Sequence, residues 1–113
     1  MNKDILAEFN KVLIKYYTSD MPMKNGVLTV KEYAGQLNLS ENYMGDLLKM
    51  ETGRSAKDHI REYVIEKAKT RLLGSNESVS EIAYILGFEY PQGLNKLFKA
   101  KVGMSPTEYR TLN

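Results

Sequence analysis

The chain has 113 residues, of which 42% are hydrophobic and 27% are charged, and its formal net charge is +2. This composition supports one packed domain, or two small units that share a core. The absence of cysteine excludes disulfides, thiolate metal sites and a cysteine nucleophile, and no apolar run approaches the roughly 20 residues that a membrane span needs. The slight excess of basic residues permits nucleic-acid binding without requiring it.

Nearly every segment has the apolar spacing of a helix, and none alternates over a useful length as a strand does. The first apolar stripe runs from Ile5 to Tyr16, and the turn-forming residues 18–27 end this helix. Ser40 can cap a later helix on its own, and Ser55 with Asp58 is a weaker form of the capping box. Three further starts are capping boxes, each a hydroxyl residue with a glutamate three positions later: Thr29–Glu32, Ser78–Glu81 and Ser105–Glu108.

Four glycines mark the predicted ends of helices. Gly53, Gly74, Gly87 and Gly103 each follow a helical run, at positions where a left-handed backbone conformation ends many helices. We therefore predict an all-α fold of about seven helices, at residues 3–17, 30–38, 41–51, 56–73, 79–86, 91–101 and 106–111.

The chain also contains an internal repeat. Four residues of the segment 30–37 recur 49 positions later, and four residues of the segment 47–55 recur 50 positions later. The repeated pairs are Val30/Val79, Glu32/Glu81, Ala34/Ala83, Leu37/Leu86, Leu47/Leu97, Lys49/Lys99, Gly53/Gly103 and Ser55/Ser105. The change of offset places one extra residue in the turn of the second copy. Such a repeat predicts two copies of one supersecondary unit.

Each copy has the plan of a helix-turn-helix unit. A small residue in the first helix, Ala34 or Ala83, lets the second helix cross closely, and the turn holds Asn38 or Gly87, which accept positive φ. The second helix of such a unit enters the major groove of DNA. We expect an N-terminal helix and loop packing on the first subdomain (1–27), a first helix-turn-helix (28–55), a linker helix (56–74) and a second helix-turn-helix (75–113).

The linker helix fixes the separation of the two units. Its apolar stripe is Ile60, Val64, Ala68 and Leu72. At about 1.5 Å per residue it is roughly 27 Å long. That length could hold two second helices about one turn of DNA apart, on one face of a duplex.

In the second unit, a polar stripe lies opposite the apolar stripe of the second helix. Gln92, Asn95, Lys96 and Lys99 follow at i, i+3, i+4 and i+7. Glutamine and asparagine can bond adenine in a bidentate way, and lysine can bond guanine or a phosphate. This stripe is the stronger candidate for contact with bases.

The equivalent stripe of the first unit is Asn42, Gly45, Asp46 and Lys49. It is weaker, because Gly45 has no side chain and Asp46 repels phosphate, although its carboxylate could accept from cytosine. We expect this helix to bury Tyr43 in the core with Met44, Leu47 and Leu48, and Tyr43 is also a candidate for contact with the DNA backbone. The full set of backbone candidates is Thr29, Ser40, Tyr43, Lys49, Ser78, Tyr90 and Lys99.

Two alternatives stay open on the residues alone. A repeat of helical hairpins could bind nothing, or it could bind protein; Gly45, Asp46 and the low net charge favour a protein-interaction module on a degenerate helix-turn-helix scaffold. The sequence has no phosphate loop, nucleophile constellation or catalytic pair of carboxylates. The lone His59, without cysteine or clustered acids, is not a metal site. We therefore expect neither catalysis nor a cofactor.

The assembled residues resemble the DNA-binding domain of the AraC/XylS family of bacterial transcription regulators. The resemblance covers residues 28–111, and its strongest part is the pattern I-A-x-x-x-G-F, L-x-x-x-F-K and G-x-S-P-x-E-Y-R over 82–110. It implies two helix-turn-helix units, asymmetric DNA sites and control of transcription. The base-contacting positions that it implies are Asn42, Gly45 and Asp46 in the first unit, and Pro91, Gln92, Asn95 and Lys96 in the second.

The chain departs from the family pattern at two positions. The family often has arginine or another long polar residue where Asp46 stands, and a polar residue where Gly93 stands. Both departures weaken the case for base contact more than the case for the fold.

The resemblance also implies partners. Double-stranded DNA is the first, RNA polymerase is a further candidate, and we expect a cytoplasmic protein with no membrane partner. Family members commonly carry a separate sensor or dimerisation domain, which this chain lacks. The chain is then either a stand-alone small regulator or the C-terminal part of a longer protein, and we expect the second.

Overall fold

The computed structural model describes the backbone of residues 2–113 and the side chains from residue 5 onward. Met1, the start of the expected segment 1–27, lies outside the described residues. Over residues 2–113 the chain forms eight helices and no strand. They are α1 (Asn2–Tyr17), α2 (Met21–Asn25), α3 (Val30–Gln36), α4 (Glu41–Thr52), α5 (Ala56–Gly74), α6 (Val79–Ile85), α7 (Pro91–Val102) and α8 (Pro106–Leu112). The all-α prediction is confirmed, with one helix more than predicted.

The additional helix is α2, which lies in the segment predicted as a turn. Pro22 lies in its first turn, where a missing N–H breaks no intrahelical bond, and it is buried. Lys24 pairs with Asp20 at 3.1 Å, and the Gly26 N–H donates to the Pro22 carbonyl at 2.8 Å. The residues that signal a turn here start and end a short helix.

The three predicted capping boxes form. At α8 the Ser105 hydroxyl accepts from the Glu108 N–H at 3.1 Å, and the Glu108 carboxylate accepts from the Ser105 N–H at 2.8 Å. These bonds to Ser105 hold the pKa of the Glu108 carboxyl below its usual range. Thr29 and Ser78 make the same pair of bonds at α3 and α6.

The predicted ends of α4 and α7 also form, but the prediction for Gly74 was wrong. Gly53 and Gly103 take left-handed conformations directly after their helices. Gly74 is instead the last residue of α5, and Ser75 follows in extended backbone. The N–H and the hydroxyl of Ser75 both donate to the Arg71 carbonyl, at 3.1 and 2.8 Å. That carbonyl is therefore satisfied without a left-handed residue.

The first unit, α3 and α4, and the second unit, α6 and α7, share one turn geometry. Asn38 and Gly87 have φ of 57° and 97°. The next residue then donates its N–H back to the central alanine of the first helix: Leu39 to Ala34 at 3.0 Å, and Phe88 to Ala83 at 2.9 Å. The second unit has one additional residue between this turn and its second helix, as the change of repeat offset predicts.

Helix α5 forms the centre of the molecule. It packs against α4 of the first unit and against α6, α7 and α8. Its predicted apolar stripe is buried, and the buried hydrophobic residues of both units belong to one cluster. The two units therefore share a single core. No helix within residues 2–113 has the length and apolarity needed to cross a bilayer.

The N-terminal segment contacts both units. Helix α1 packs on α3, where the Tyr33 hydroxyl donates to the Phe9 carbonyl at 3.2 Å and the two rings meet edge to face at 5.9 Å. Helix α2 packs instead against α6 of the second unit. The segment that precedes the first unit thus reaches the second as well.

Candidate nucleic-acid interface

Helix α4 presents a polar face because its opposite face is locked in the core. Met44 and Leu48 have no exposed surface, and the Ser40 hydroxyl caps the helix by accepting from the Tyr43 N–H at 3.1 Å. The opposite face is the outer stripe of α4, defined as Asn42, Gly45, Asp46 and Lys49. Its three side chains are exposed, and Gly45 is half-buried.

The expectation that Tyr43 lies in the core was wrong. Its side chain is 55% exposed and borders a surface groove with Leu39 and Leu47. Position 43 precedes the buried Met44 by one residue, so the tyrosine ring lies at the edge of the buried face rather than in its centre. The phenol remains accessible beside the outer stripe.

Helix α7 repeats this arrangement. Leu94 and Phe98 have no exposed surface, and Pro91 starts the helix after Tyr90, which makes no side-chain cap bond and is 65% exposed. The outer stripe of α7 is defined as Gln92, Asn95, Lys96 and Lys99, and all four are exposed. Pro91 itself is half-buried.

The two outer stripes are equivalent under the repeat. Each residue of the α4 stripe corresponds to the residue 50 positions later in the α7 stripe. The described ion pairs involve none of the charged residues of either stripe. Each unit therefore offers an accessible polar face in the same register.

Gly93, one of the two departures from the family pattern, has a packing explanation. A methyl group on its Cα would lie 2.9 Å from Cδ1 of Phe88, which is closer than packed carbon atoms approach. The ring of Phe88, in the turn of the second unit, is seated against the backbone of α7 at this glycine. The equivalent position in the first unit is the exposed Tyr43.

The N-caps Thr29 and Ser78 are both exposed, but their capping atoms are occupied. In each, the hydroxyl accepts from the backbone of the following glutamate, and that glutamate's carboxylate accepts from the cap N–H. The Glu32 and Glu81 carboxylates therefore lie at the ends of α3 and α6 that would face an anion.

Two cationic residues of the linker helix are absent from the DNA-contact candidates predicted from the sequence. Lys57 and Arg61 line a groove of about 760 Å³ between the two units, together with Thr29 and Lys96. Its floor is apolar and includes Leu28, Val64, Phe88 and Leu97. The two cations are four residues apart and therefore on one face of α5, and this spacing is the sequence signal that could have identified them.

The two units match a known protein family. The model of a family described as "Helix-turn-helix domain" matches residues 33–111, which is most of the chain. The match covers the first unit from Tyr33 onward and the whole of the second unit. The chain belongs to the AraC-type helix-turn-helix family. The AraC/XylS resemblance drawn from the sequence is confirmed.

Relatives and solved structures of the AraC type agree with this assignment. The raffinose operon transcriptional regulatory protein RafR of Pediococcus pentosaceus is 35% identical over 82 residues, which cover 73% of this chain and 30% of RafR. The matched part of the chain spans between about a tenth and about a third of the length of such curated relatives.

Two solved structures match almost the whole chain. The C-terminal domain of the two-component response regulator yesN from Fusobacterium nucleatum has a TM-score of 0.79 and 26% identity, covering 97% of this chain and 99% of that one. The DNA-binding domain of AdpA, solved in complex with a target DNA, has a TM-score of 0.79 and 23% identity, covering 95% and 90%. At that identity the similarity to AdpA establishes the fold alone.

Proposed function

We propose that this AraC-type domain binds double-stranded DNA sequence-specifically, with α4 and α7 in two successive major grooves, and thereby regulates transcription. The observation that supports this most directly is the pair of outer stripes, accessible and in equivalent register on the second helix of each unit. Helix α5 has 19 residues, or roughly 28 Å at about 1.5 Å per residue. This length suits two helices that enter grooves about one turn, roughly 34 Å, apart.

The relatives support the same role. RafR is named as a transcriptional regulatory protein, and the AdpA domain was solved with its target DNA. We extend both properties to this chain as part of the proposal. We further infer that it acts in the cytoplasm, with RNA polymerase as a second partner, and that a sensor or dimerisation domain works with it.

The two units contribute unequally in this proposal. In the second unit, Gln92 and Asn95 would bond adenine edges, and Lys96 would bond a guanine edge. In the first unit, Asn42 is the main base contact, because Gly45 offers only backbone and Asp46 is limited to cytosine N4. A selected site should therefore be more strongly specified in the half that α7 contacts.

Contacts to the DNA backbone would set the register. Lys49 and Lys99 are the last residues of the two outer stripes, and Ser40, Tyr43 and Tyr90 are the candidates outside the stripes. All five are exposed. Lys57 and Arg61 would add positive charge between the two grooves. Thr29 and Ser78 are weaker candidates, because a glutamate carboxylate already lies at each of these caps. Such contacts position the protein without specifying sequence.

Selection of bound sequences from random duplex DNA tests the proposal. We expect an enriched site with two specified parts about one turn apart, and an affinity whose log–log salt slope is about −0.9 per phosphate contacted. No enrichment together with a flat salt response would contradict the proposal and favour the protein-interaction alternative.

Lys96→Ala should weaken binding to the selected duplex by about 1–3 kcal/mol and relax the preference at one base position. The ammonium group would otherwise bond a guanine edge. Titration by fluorescence anisotropy against single-base variants of the site measures both effects. Lys11→Ala, which removes the same charge from the exposed face of α1, is the control. Uniform weakening across sequences, with a salt slope smaller by about 1, would assign Lys96 to a phosphate instead.

Gly45→Ala should stabilise the fold and weaken DNA binding. A methyl group at this position meets no atom within 4 Å, and alanine within a helix is about 0.5–1 kcal/mol more stable than glycine. In the proposed complex, the same methyl group would stand between the α4 backbone and the floor of the DNA major groove. Gly35→Ala in α3, where a methyl group also meets no atom within 4 Å, is the control. Unchanged affinity for Gly45→Ala would show that this face of α4 does not approach DNA.

A further inference from the structure

The loop between α2 and α3 lies so close to the turn of the second unit that a side chain on Gly87 would not fit between them. A methyl group on the Gly87 Cα would lie 2.6 Å from the carbonyl carbon of Gly26 and 2.7 Å from the nitrogen of Val27. Real Cβ atoms do not approach other atoms so closely. The backbone of residues 26–27 is therefore seated directly on the backbone of Gly87, which we call the Gly26–Gly87 contact.

The conformation of Gly26 matches this role. Its φ of 90° and ψ of −170° lie in a region that only glycine adopts without strain. The backbone here turns from α2 towards α3 while its surface lies against the second unit. Both sides of the contact therefore depend on glycine, one for its conformation and the other for its missing side chain.

Two tyrosines of α1 hold the loop in place. The Tyr16 hydroxyl donates to the Gly26 carbonyl at 2.6 Å, and the Tyr17 hydroxyl accepts from the Leu28 N–H at 3.1 Å. A tyrosine phenol is protonated at neutral pH and can donate, and burial raises the pKa of Tyr16 further. The Tyr17 ring also packs on that of Tyr63 in α5, with centroids 5.7 Å apart. The loop is thus tied to α1 and to the linker helix.

We propose that the Gly26–Gly87 contact sets the spacing of the two units, and thereby the number of base pairs that the protein tolerates between its two half-sites. Both units pack on α5, and the contact adds a second place where the segment in front of the first unit meets the second unit. A contact away from the α5 core restrains rotation of one unit relative to the other about the axis of α5. The half-site part of the proposal rests on the proposed function.

The spacing matters because both units must bind one duplex at once. A linked pair of binding modules gains affinity only where its geometry lets both engage. Gly26, Gly87 and Tyr16 are positioning residues in this scheme. They act through α4 and α7 and need not touch DNA.

Gly87→Ala is the direct test, and Gly103→Ala is its matched control. Gly103 has a φ of 90°, close to that of Gly87, but a methyl group there meets no atom within 4 Å. Both variants therefore place alanine at a similar positive φ, and only Gly87→Ala disturbs the contact. We expect Gly87→Ala to bind the selected duplex at least about tenfold more weakly than Gly103→Ala does, because simultaneous engagement is lost. Gly103→Ala should bind duplexes with one base pair inserted or deleted between the half-sites more weakly than the selected duplex. Gly87→Ala should bind these duplexes and the selected duplex with similar affinity.

A second measurement needs no DNA. The chain has no cysteine, so spin labels at Lys49→Cys and Lys99→Cys report the distance between α4 and α7 by pulsed electron resonance. We expect a narrow distance distribution in the parent and in Gly103→Ala, and a shifted or broadened one in Gly87→Ala. Where Gly87→Ala does not fold, Tyr16→Phe removes only the hydrogen bond to the Gly26 carbonyl and leaves both glycines in place. Its control is Tyr33→Phe, which removes a bond from tyrosine to backbone between α1 and α3.

The outcomes separate the two proposals. If the parent protein enriches no sequence, the proposed function fails, and the label distances still test the spacing of the units. If a site is selected but Gly87→Ala and Gly103→Ala share one spacing preference and one distance distribution, the contact does not set the spacing. An equal result for Tyr16→Phe and Tyr33→Phe would overturn the proposal in the same way.

Discussion

Replacing Phe98 by alanine is expected to lower the free energy of unfolding by about 3–5 kcal/mol. The side chain has no exposed surface and meets the ring of Tyr109 edge to face at 5.4 Å, so its removal leaves a cavity between α7 and α8. Denaturant unfolding followed by circular dichroism measures the change. Because most small domains are only about 5–15 kcal/mol stable, this single change would remove a large part of the stability of the fold that presents the outer stripe of α7.

The exposed Met50 provides the control for Phe98. It is 76% exposed, so Met50→Ala should change stability by no more than about 0.5 kcal/mol. Leu48→Ala, at the position that corresponds to Phe98 under the repeat, should cost about 2–5 kcal/mol. A loss below about 1 kcal/mol for Phe98→Ala would contradict the packing described for the second unit.

The second large effect is expected at Arg110, where Arg110→Ala should cost about 2–3 kcal/mol. The guanidinium donates from Nε to the Leu72 carbonyl at 2.9 Å and from Nη2 to the Ser75 carbonyl at 3.3 Å. These acceptors lie at the carboxyl end of α5, where carbonyls lack helical partners and a positive charge is favourable. The side chain therefore fastens α8 to the end of the linker helix.

Arg110→Lys distinguishes the charge of this side chain from its shape. Lysine keeps the charge but has one nitrogen in place of the planar guanidinium. We expect it to recover only part of the lost stability in the same unfolding experiment. Full recovery would show that charge alone matters here, and no loss for Arg110→Ala would contradict the assigned hydrogen bonds.

The same end of α5 contains a second, local ion pair. Arg71 Nη1 lies 2.8 Å from both carboxylate oxygens of Glu77. This bonding, aided by the Ser75 hydroxyl, holds the pKa of the Glu77 carboxyl below its usual range. Arg110 adds to this lowering through its charge. The exit from the linker helix is thus organised by two arginines, of which only Arg110 belongs to the family pattern.

The elements that could be predicted from the sequence are those with local causes. A capping box needs only residues three apart, so Thr29, Ser78 and Ser105 identified their helices correctly. The outer stripes follow from helical periodicity, and the repeat fixes their common register. Helical spacing alone therefore predicts that Gln92, Asn95 and Lys96 are exposed. Their role in contacting bases stays a prediction.

The remaining features depend on contacts between distant parts of the chain. Helix α2 was missed because Pro22 signals a turn locally, while its burial comes from the surrounding fold. The expectation for Tyr43 failed because helical spacing alone does not separate the centre of a buried face from its edge. The Gly26–Gly87 contact joins residues 61 positions apart. Local sequence around either glycine therefore does not predict the contact.

The outer stripes of α4 and α7 share their helices with the core but share no residue with it. Mutations at Asn42, Gln92 or Asn95 can therefore accumulate without altering core volume, caps or turns. Under the proposed function, substitutions at these positions change the DNA sites that the domain prefers while its melting temperature stays nearly constant. For an engineer, the same division allows libraries of altered specificity to be built on these positions with little loss of folded protein.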